Sequence, residues 1–167
     1  ASPGYENHPG VILQGHMDMV PQKNNDTVFD FAKDPIEAYI DGEWVTAKGT
    51  TLGADNGIGV AAAMAILADK NVVHPPLEVL VTVDEETGMY GAFALEGGLL
   101  QGKTLLNLDS EAEGELYVGC AGGVDTTAKF AYTPVEVEEG DVAVKVSVTG
   151  CKGGHSGCDI HLQRANA

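Results

Sequence analysis

The chain has 167 residues, 44% of them hydrophobic, which is enough to form the core of one medium domain or of one domain and part of another. Its 25 acidic residues against 9 basic ones give a formal charge of −16, which argues against binding to nucleic acids and anionic membranes because both would repel the chain. The 3 cysteines lack the spacing of a thiolate zinc site, and their odd number favours a reducing cytoplasm over a disulfide scaffold.

The first predicted strand covers residues 11–15 and runs directly into a His-Met-Asp sequence. His16 and Asp18 are two positions apart on an extended segment, so their side chains share one face. A metal-bound histidine commonly donates its second ring N–H to a carboxylate, and this spacing suits a ligand and the residue that orients it. The sequence leaves open whether Asp18 acts on His16 directly or through another group, and whether both are simply polar residues at a strand end.

An Asp-Gly turn between short β-prone segments predicts a hairpin over residues 39–45. The glycine-rich turn of residues 49–57 then leads into residues 58–69, which are apolar on almost all sides, as expected of a buried helix. Asp55 lies where this turn becomes the helix. Taken alone it is best explained as an N-cap, although a carboxylate held there by backbone donors also suits the bridging of two cations.

The central predicted strand covers residues 77–83, an apolar, β-branched run that is typical of a strand buried on both faces. Three carboxylates follow it directly: Asp84, Glu85 and Glu86. No Lys or Arg lies between positions 70 and 103, so local ion pairs are not available to neutralise them. On an extended segment Glu85 and Glu86 point to opposite sides, which suits one as a metal ligand and the other as a general base facing water.

A second helix is predicted from residue 87 to about residue 97, and a third strand, residues 104–109, ends in Asp109. Strand, helix, strand, helix, strand is the pattern of an α/β fold. Each of the three strands carries His, Asp or Glu at its carboxyl end, and ligands bind at that edge in open α/β sheets. The sequence therefore predicts a metal site. Oxygen and imidazole donors without thiolates favour Zn, Mn or Co, and two such ions about 3.5–4 Å apart can share a carboxylate.

Towards the end of the chain the pattern changes. Residues 124–132 and 141–149 alternate between apolar and polar positions, like the strands of a half-exposed antiparallel sheet. After a glycine-rich loop, residues 160–167 have the pattern of the first turns of a helix. We therefore predict a metal-binding domain over residues 1–122 and the beginning of a second domain over residues 123–167.

Five motifs, taken together and in this order, resemble those of a known family: QGHMDMV at 14–20, GTTLGADNG at 49–57, DEETG at 84–88, NLDSE at 107–111 and GGHSG at 153–157. The family is that of the bacterial aminoacyl-histidine dipeptidases (Xaa-His dipeptidases, carnosinase-like), within the co-catalytic zinc exopeptidases and aminoacylases. The resemblance runs along essentially the whole chain. It implies a zinc-exopeptidase-like α/β fold, with a mixed sheet flanked by helices and then the start of a small α+β lid or dimerisation domain.

The resemblance implies four protein ligands for two zinc ions, with Mn or Co as alternatives: His16, Asp55, Glu86 and Asp109. His16 and Asp109 would bind on one side and Glu86 on the other, with Asp55 as the bridge between the ions. A further histidine ligand belongs to a later segment of the family's catalytic domain, and no histidine of this chain occupies its motif. The family also holds the peptide bond after its bridging aspartate, here Asp55-Asn56, in the cis form.

Three further residues would act in catalysis according to the resemblance: Asp18, Glu85 and His155. Asp18 would orient His16, and Glu85 would be the general base. His155, in the lid domain, would reach the site of a partner subunit and stabilise the tetrahedral oxyanion there.

The activity that the resemblance implies is metal-dependent hydrolysis of the peptide bond of Xaa-His dipeptides by a metal-bridged water, with a glutamate as general base. The motifs are less specific for the substrate, so a related amidohydrolase (a tripeptidase, deacetylase or desuccinylase) and a non-catalytic metal-binding fragment are the alternatives. Family members are much longer, and we expect this chain to be a fragment that is inactive alone. We also expect a small peptide substrate, a cytoplasmic location, a homodimer through the lid domain, and no nucleic-acid or membrane partner.

Overall fold

The computed structural model describes residues 1–110, 112–120, 122, 124, 126–153 and 159–164. The chain divides into two units, residues 1–116 and residues 117–167. In chain order the regular elements are β1 (Val11–His16), β2 (Ala38–Asp41), β3 (Trp44–Ala47), α1 (Ala54–Ala68), β4 (Leu77–Thr82), α2 (Tyr90–Phe93), β5 (Thr104–Asn107) and a 3-10 helix (Ile160–Leu162). None of the helices among these described residues is long and apolar enough to cross a bilayer.

A three-stranded parallel sheet forms the centre of the first unit, with β1 between β4 and β5. Val11 pairs with Leu77 on one side and with Thr104 on the other, and His16 pairs with Thr82 at the far end. Because the strands are parallel, their carboxyl ends meet at one edge. Together with the helices, this sheet confirms the predicted α/β fold. The separate hairpin of β2 and β3 is antiparallel, as the Asp-Gly turn predicts.

The small core of this unit lies where α1 packs against β1, with Leu13 and Ala63 almost fully buried. Ile12 is also buried, on the other face of the sheet beside Gly102. The prediction of a helix buried on all sides is wrong. Only one face of α1 is buried, and Ile58 on another face is 71% exposed. A helix that is apolar all round needs partners all round, and the described residues cover just one of its faces.

Two further local predictions are corrected by the structure. The strand β4 is half-buried along most of its length and not covered on both faces. The packing of α1 is against β1. The helix predicted from residue 87 is only the single turn α2, because residues 85–88 form a turn and Met89 has a left-handed φ of 57°. Met89 therefore cannot be an interior residue of a longer helix.

The second unit contains no strand within the described parts of residues 124–132 and 141–149. Both segments alternate in sequence as a strand does, but none of the described residues pairs with them, so the prediction of antiparallel strands there is wrong. The 3-10 helix is followed by Gln163 with a left-handed φ of 54°, which ends the predicted helical turn early. A lid domain and a domain boundary near residue 122 stay predictions.

Candidate metal centre

The candidate site lies at the carboxyl edge of the parallel sheet, within the first unit. His16 is the last residue of β1, and only 1% of its surface is exposed. Around it are four carboxylates from three other segments: Asp55, Glu85, Glu86 and Asp109. The candidate ligand atoms of His16, Glu85 and Glu86 lie within 4.8 Å of one another, as do those of His16, Asp55 and Asp109. His16 is therefore shared by both groups.

The imidazole of His16 has a partner at each ring nitrogen. Nδ1 lies 3.0 Å from the backbone carbonyl oxygen of Asp18 and 3.4 Å from its carboxylate, and Nε2 lies 3.1 Å from Asp55 Oδ1 and 3.5 Å from Asp109 Oδ1. Burial alone would lower the pKa of His16, but the carboxylates of Asp109, Asp55 and Glu85 outweigh it and raise that pKa. The Nε2 side of the ring therefore faces the carboxylates of Asp55 and Asp109.

Asp18 has a second role that its spacing from His16 does not indicate. Its two carboxylate oxygens accept the backbone N–H groups of Glu85 and Glu86, at 3.2 and 3.1 Å. Burial raises the pKa of Asp18, but these N–H groups stabilise the charged form and hold the pKa below its ordinary value. Asp18 thus contacts His16 and also fixes the turn that carries the two glutamates.

Glu85 and Glu86 do not lie on an extended segment, so the prediction that they point to opposite sides is wrong. Asp84, which precedes them, has a left-handed φ of 56°, and the chain turns over residues 85–88. Aspartate tolerates this conformation better than most residues do. Because of the turn, both glutamate side chains approach His16.

Asp55 is not an N-cap. Gly53 occupies the cap position of α1 with a φ of 78°, and no side chain caps the helix. The φ and ψ of Asp55 are non-helical, at −88° and 113°, and its carboxylate faces His16. The peptide bond Asp55-Asn56 is cis, as the family resemblance implies.

The site concentrates negative charge around a single imidazole, that of His16. Burial, and then the neighbouring Asp55, raise the pKa of Asp109 to about 6, while burial and the charges of Asp55 and Glu85 raise the pKa of Glu86. Within the described residues, the Lys and Arg ion pairs all lie elsewhere: Lys33–Asp30, Lys48–Glu37 and Arg164–Asp159. A divalent cation would relieve this repulsion, and one imidazole with several carboxylates is a suitable donor set for Zn, Mn or Co.

One site residue was missed by the sequence analysis. Asn56 is 3% exposed and hydrogen-bonds to the backbone of His16 and to the carboxylate of Asp109. A signal for it existed, because Asn56, Gly59 and Ala63 have the spacing of one helix face, and all three are buried.

His155 lies outside the described residues, so its function stays a prediction.

Comparison with known proteins decides the family. Residues 12–161 match the family described as peptidase family M20/M25/M40. The chain belongs to this family. Its peptidases depend on metal ions, which agrees with the donor set at the sheet edge.

Two relatives within this family are dipeptidases by name. The chain is 60% identical to the cytosol non-specific dipeptidase of Escherichia coli (strain K12) over all 167 residues, which is 34% of that protein. The crystal structure of aminoacylhistidine dipeptidase from Vibrio alginolyticus matches all of the chain and 34% of its own length, with a TM-score of 0.73 and 54% identity. The chain also shares 30% identity over 146 residues with the uncharacterized protein YqjE of Bacillus subtilis (strain 168), covering 37% of it. It thus spans about a third of the length of these relatives.

Proposed function

We propose that this chain provides the metal centre of a dipeptidase that hydrolyses Xaa-His dipeptides. The observation that carries this proposal is the buried His16, which contacts Asp55 and Asp109 at one ring nitrogen and has both glutamates of the following turn within reach. The similarity to two named dipeptidases gives the reaction class. The chain also belongs to a family of metal-dependent peptidases, which supports both the metal centre and the reaction class.

Four residues hold the divalent cations in this proposal: His16, Asp55, Glu86 and Asp109. We propose two zinc ions, with Mn or Co as alternatives, and Asp55 as the bridging carboxylate. Support for the bridge comes from the position of Asp55, since, besides burial, its carboxylate raises the pKa of both Asp109 and Glu86, the ligands proposed for different ions. Bound divalent cations polarise the scissile carbonyl and lower the pKa of water in the site.

Glu85 is the general base in this proposal. It accepts a proton from the attacking water and passes the same proton to the amine that leaves. Support comes from its nearness to the candidate ligands and from the hydrogen bond of its backbone N–H to Asp18, which fixes the start of the turn. The further proposal that His155 stabilises the oxyanion in a partner subunit rests on the family resemblance alone.

The substrate class and the setting follow from the relatives and from charge. One relative is named for aminoacylhistidine substrates and another for non-specific dipeptide cleavage in the cytosol, so we propose Xaa-His dipeptides as good substrates among others, and a cytoplasmic location. The formal charge of −16 supports a small-molecule substrate over nucleic acids or anionic membranes. We also propose that the full-length protein forms a homodimer through the lid domain, which begins with residues 123–167.

The test uses a dipeptidase chimera, in which residues 1–167 replace the matching third of the E. coli relative. The chimera is assayed on Xaa-His dipeptides and on N-acyl amino acids, with added Zn, Mn or Co and with a chelator. We expect dipeptide hydrolysis that is lost with the chelator and restored by metal. Cleavage of N-acyl amino acids alone would point to a related amidohydrolase, and metal binding without any turnover would contradict the catalytic proposal.

A further inference from the structure

The side-chain amide of Asn56 joins two of the segments that carry candidate ligands. Its Oδ1 accepts the backbone N–H of His16 at 3.3 Å. Its Nδ2 donates to the carbonyl oxygen of Leu108 at 2.7 Å and to Asp109 Oδ1 at 2.9 Å. Both N–H bonds and the oxygen are thus used, and the partners fix the orientation of the amide, because the NH₂ group faces two oxygens and the oxygen faces an N–H.

Two glycines leave room for this amide. A Cβ on Gly15 would collide with Asn56 Oδ1, while the next nearest atoms, Asn56 Cγ and Val60 Cγ2, would lie at ordinary contact distances of 3.5 and 3.6 Å. A Cβ on Gly59 would lie 2.5 Å from Asn56 Oδ1 and 2.9 Å from Nδ2. The backbones of β1 and α1 therefore form a close-fitting cradle around one side chain.

The contacts of the amide fix the carboxylate of Asp109 relative to His16. Asp109 Oδ1 accepts the hydrogen bond of Asn56 and also lies 3.5 Å from His16 Nε2. At the same time the amide holds the backbone of His16 itself. One buried group thus determines both the backbone position of the histidine and the rotation of the carboxylate that faces its ring. Metal affinity and the geometry of the bound ion distinguish a positioning role of this amide from a purely structural link.

We propose that Asn56 is a positioning residue of the metal centre, whose amide sets the geometry between His16 and Asp109 and thereby the affinity for a divalent cation. The proposal rests on the proposed metal centre, and it adds a residue that contacts the ligands and not the cation. Partners of this kind commonly change metal affinity or activity 10–100-fold when they are removed.

The first test compares Asn56→Ala and Asn56→Asp with the wild-type chain. Affinity for Zn²⁺ and Co²⁺ is measured by competition with a chromophoric chelator, and the Co²⁺ absorption spectrum reports the coordination geometry. We expect roughly 10–100-fold weaker binding and an altered spectrum for Asn56→Ala. Asn56→Asp should lose more of the affinity for the cation, because a carboxylate oxygen would replace the donor that now faces the oxygens of Leu108 and Asp109. The matched control is Asn71→Asp, at an exposed residue whose side chain donates to Asp69, away from the candidate ligands. This variant should keep wild-type affinity.

The second test is a double-mutant cycle in which the amide is displaced in one variant and removed in the other. Gly15→Ala alone should displace the amide and reproduce the weaker binding of Asn56→Ala. In Asn56→Ala the added methyl group has space, so the double variant should bind no more weakly than Asn56→Ala alone. Gly57→Ala is the matched control, because nothing lies within 4 Å of the Cβ that it adds. Far-UV circular dichroism of each variant separates effects on folding from effects on the site.

The outcomes distinguish this proposal from the one on which it rests. If the wild-type chain binds neither cation, the metal centre is wrong and this proposal falls with it. If the wild type binds but a folded Asn56→Ala keeps both its affinity and its Co²⁺ spectrum, the positioning role of Asn56 alone is wrong. Should Asn56→Ala fail to fold, a folded Gly15→Ala that keeps wild-type affinity and the wild-type Co²⁺ spectrum would overturn the proposal in the same way.

Discussion

Residues 11–16 and residues 141–149 are both rich in β-branched apolar side chains, yet only the first segment is a strand. The strand β1 has a parallel neighbour on each side, and Ile12 and Leu13 are at most 5% exposed. In the second segment the alternating valines remain 81–89% exposed: Val142, Val144, Val146 and Val148. The difference teaches that β-branched composition makes a segment able to join a sheet, whereas a partner decides whether it does. The candidate site lies at the end of β1, the strand that has β4 and β5 as neighbours.

The largest expected effect tests whether catalysis depends on residues beside the parallel sheet and not on the second unit. In the dipeptidase chimera, Glu85→Gln should lower turnover on the order of 10²–10⁴-fold and leave metal bound, because a base is removed and no ligand is lost. Glu86→Gln should instead weaken metal binding. The matched control is Glu138→Gln in the second unit, an exposed residue that should keep wild-type turnover. Steady-state kinetics and metal analysis measure both effects, and equal loss of metal from the two site variants would mean that their roles are confused.

The next effect concerns stability. Leu13→Ala in β1 should cost about 2–5 kcal/mol of the free energy of unfolding, because it leaves a cavity in the core beside α1. Val144→Ala, at a side chain that is 82% exposed, should change it by less than about 0.5 kcal/mol. Urea denaturation of the chain measures both. A similar cost at the two positions would show that residues 141–149 are packed in solution after all.

A smaller effect is expected where Asp18 fixes the turn after β4. Asp18→Asn keeps the size of the side chain but replaces one of its two accepting oxygens by a donor, so only one of the N–H groups of Glu85 and Glu86 retains its bond. Turnover of the chimera should fall about 10–100-fold. Hydrogen exchange at these two amides should speed up, while the amide of Leu13 in β1 serves as the internal control. Unchanged exchange at both glutamates would contradict the role given to Asp18.

The smallest effect is a dependence of stability on pH in the metal-free chain. The pKa of Asp109 is raised to about 6 by burial and by Asp55, so its protonated form is favoured in the folded state. The stability that this proton contributes is present below the unfolded pKa of about 3.8 and is lost as pH rises through about 6. The raised pKa values of His16 and Glu86 act in the same direction. Because Asp109 keeps 25% of its side chain exposed, we expect a loss of about 1–2 kcal/mol.

Urea denaturation from pH 4 to pH 7 measures this loss. Asp109→Asn should flatten the part of the curve that belongs to Asp109, because an amide does not titrate. Saturating Zn²⁺ should reverse the slope in the wild type, since a bound cation favours the ionised carboxylates. Stability that rises with pH in the metal-free chain would contradict the electrostatic description of the site.

Local chemistry accounts for what could be predicted. The hairpin of β2 and β3 follows from its Asp-Gly turn, in which Gly42 has a φ of 62°. The meeting of His16 and Asp109 at one edge follows from strands that end in ligand-type residues, because parallel strands align their carboxyl ends. Each inference needs only a short segment or a general rule of sheet geometry.

What could not be predicted depends on contacts between distant segments. The amide of Asn56 reaches Leu108, and the carboxylate of Asp18 reaches the turn at Glu85, and no local pattern encodes either bond. The left-handed Asp84 likewise changes the direction of both glutamates without a glycine or proline to signal it. Where packing partners decide the outcome, as on the exposed face of α1, composition alone gave the wrong answer.

The strand order of the sheet has a consequence for synthesis on the ribosome. The central strand β1 is made first, and its two neighbours, which pair with Val11 through Leu77 and Thr104, are made much later. At translation rates of roughly 5–20 residues per second, β4 and β5 are synthesised about 3 to 20 seconds after β1. During that interval its apolar run has two open edges, the condition under which nascent strands associate wrongly. Chaperone cover of β1 as it emerges therefore matters more here than in a fold that pairs neighbouring strands as they are made.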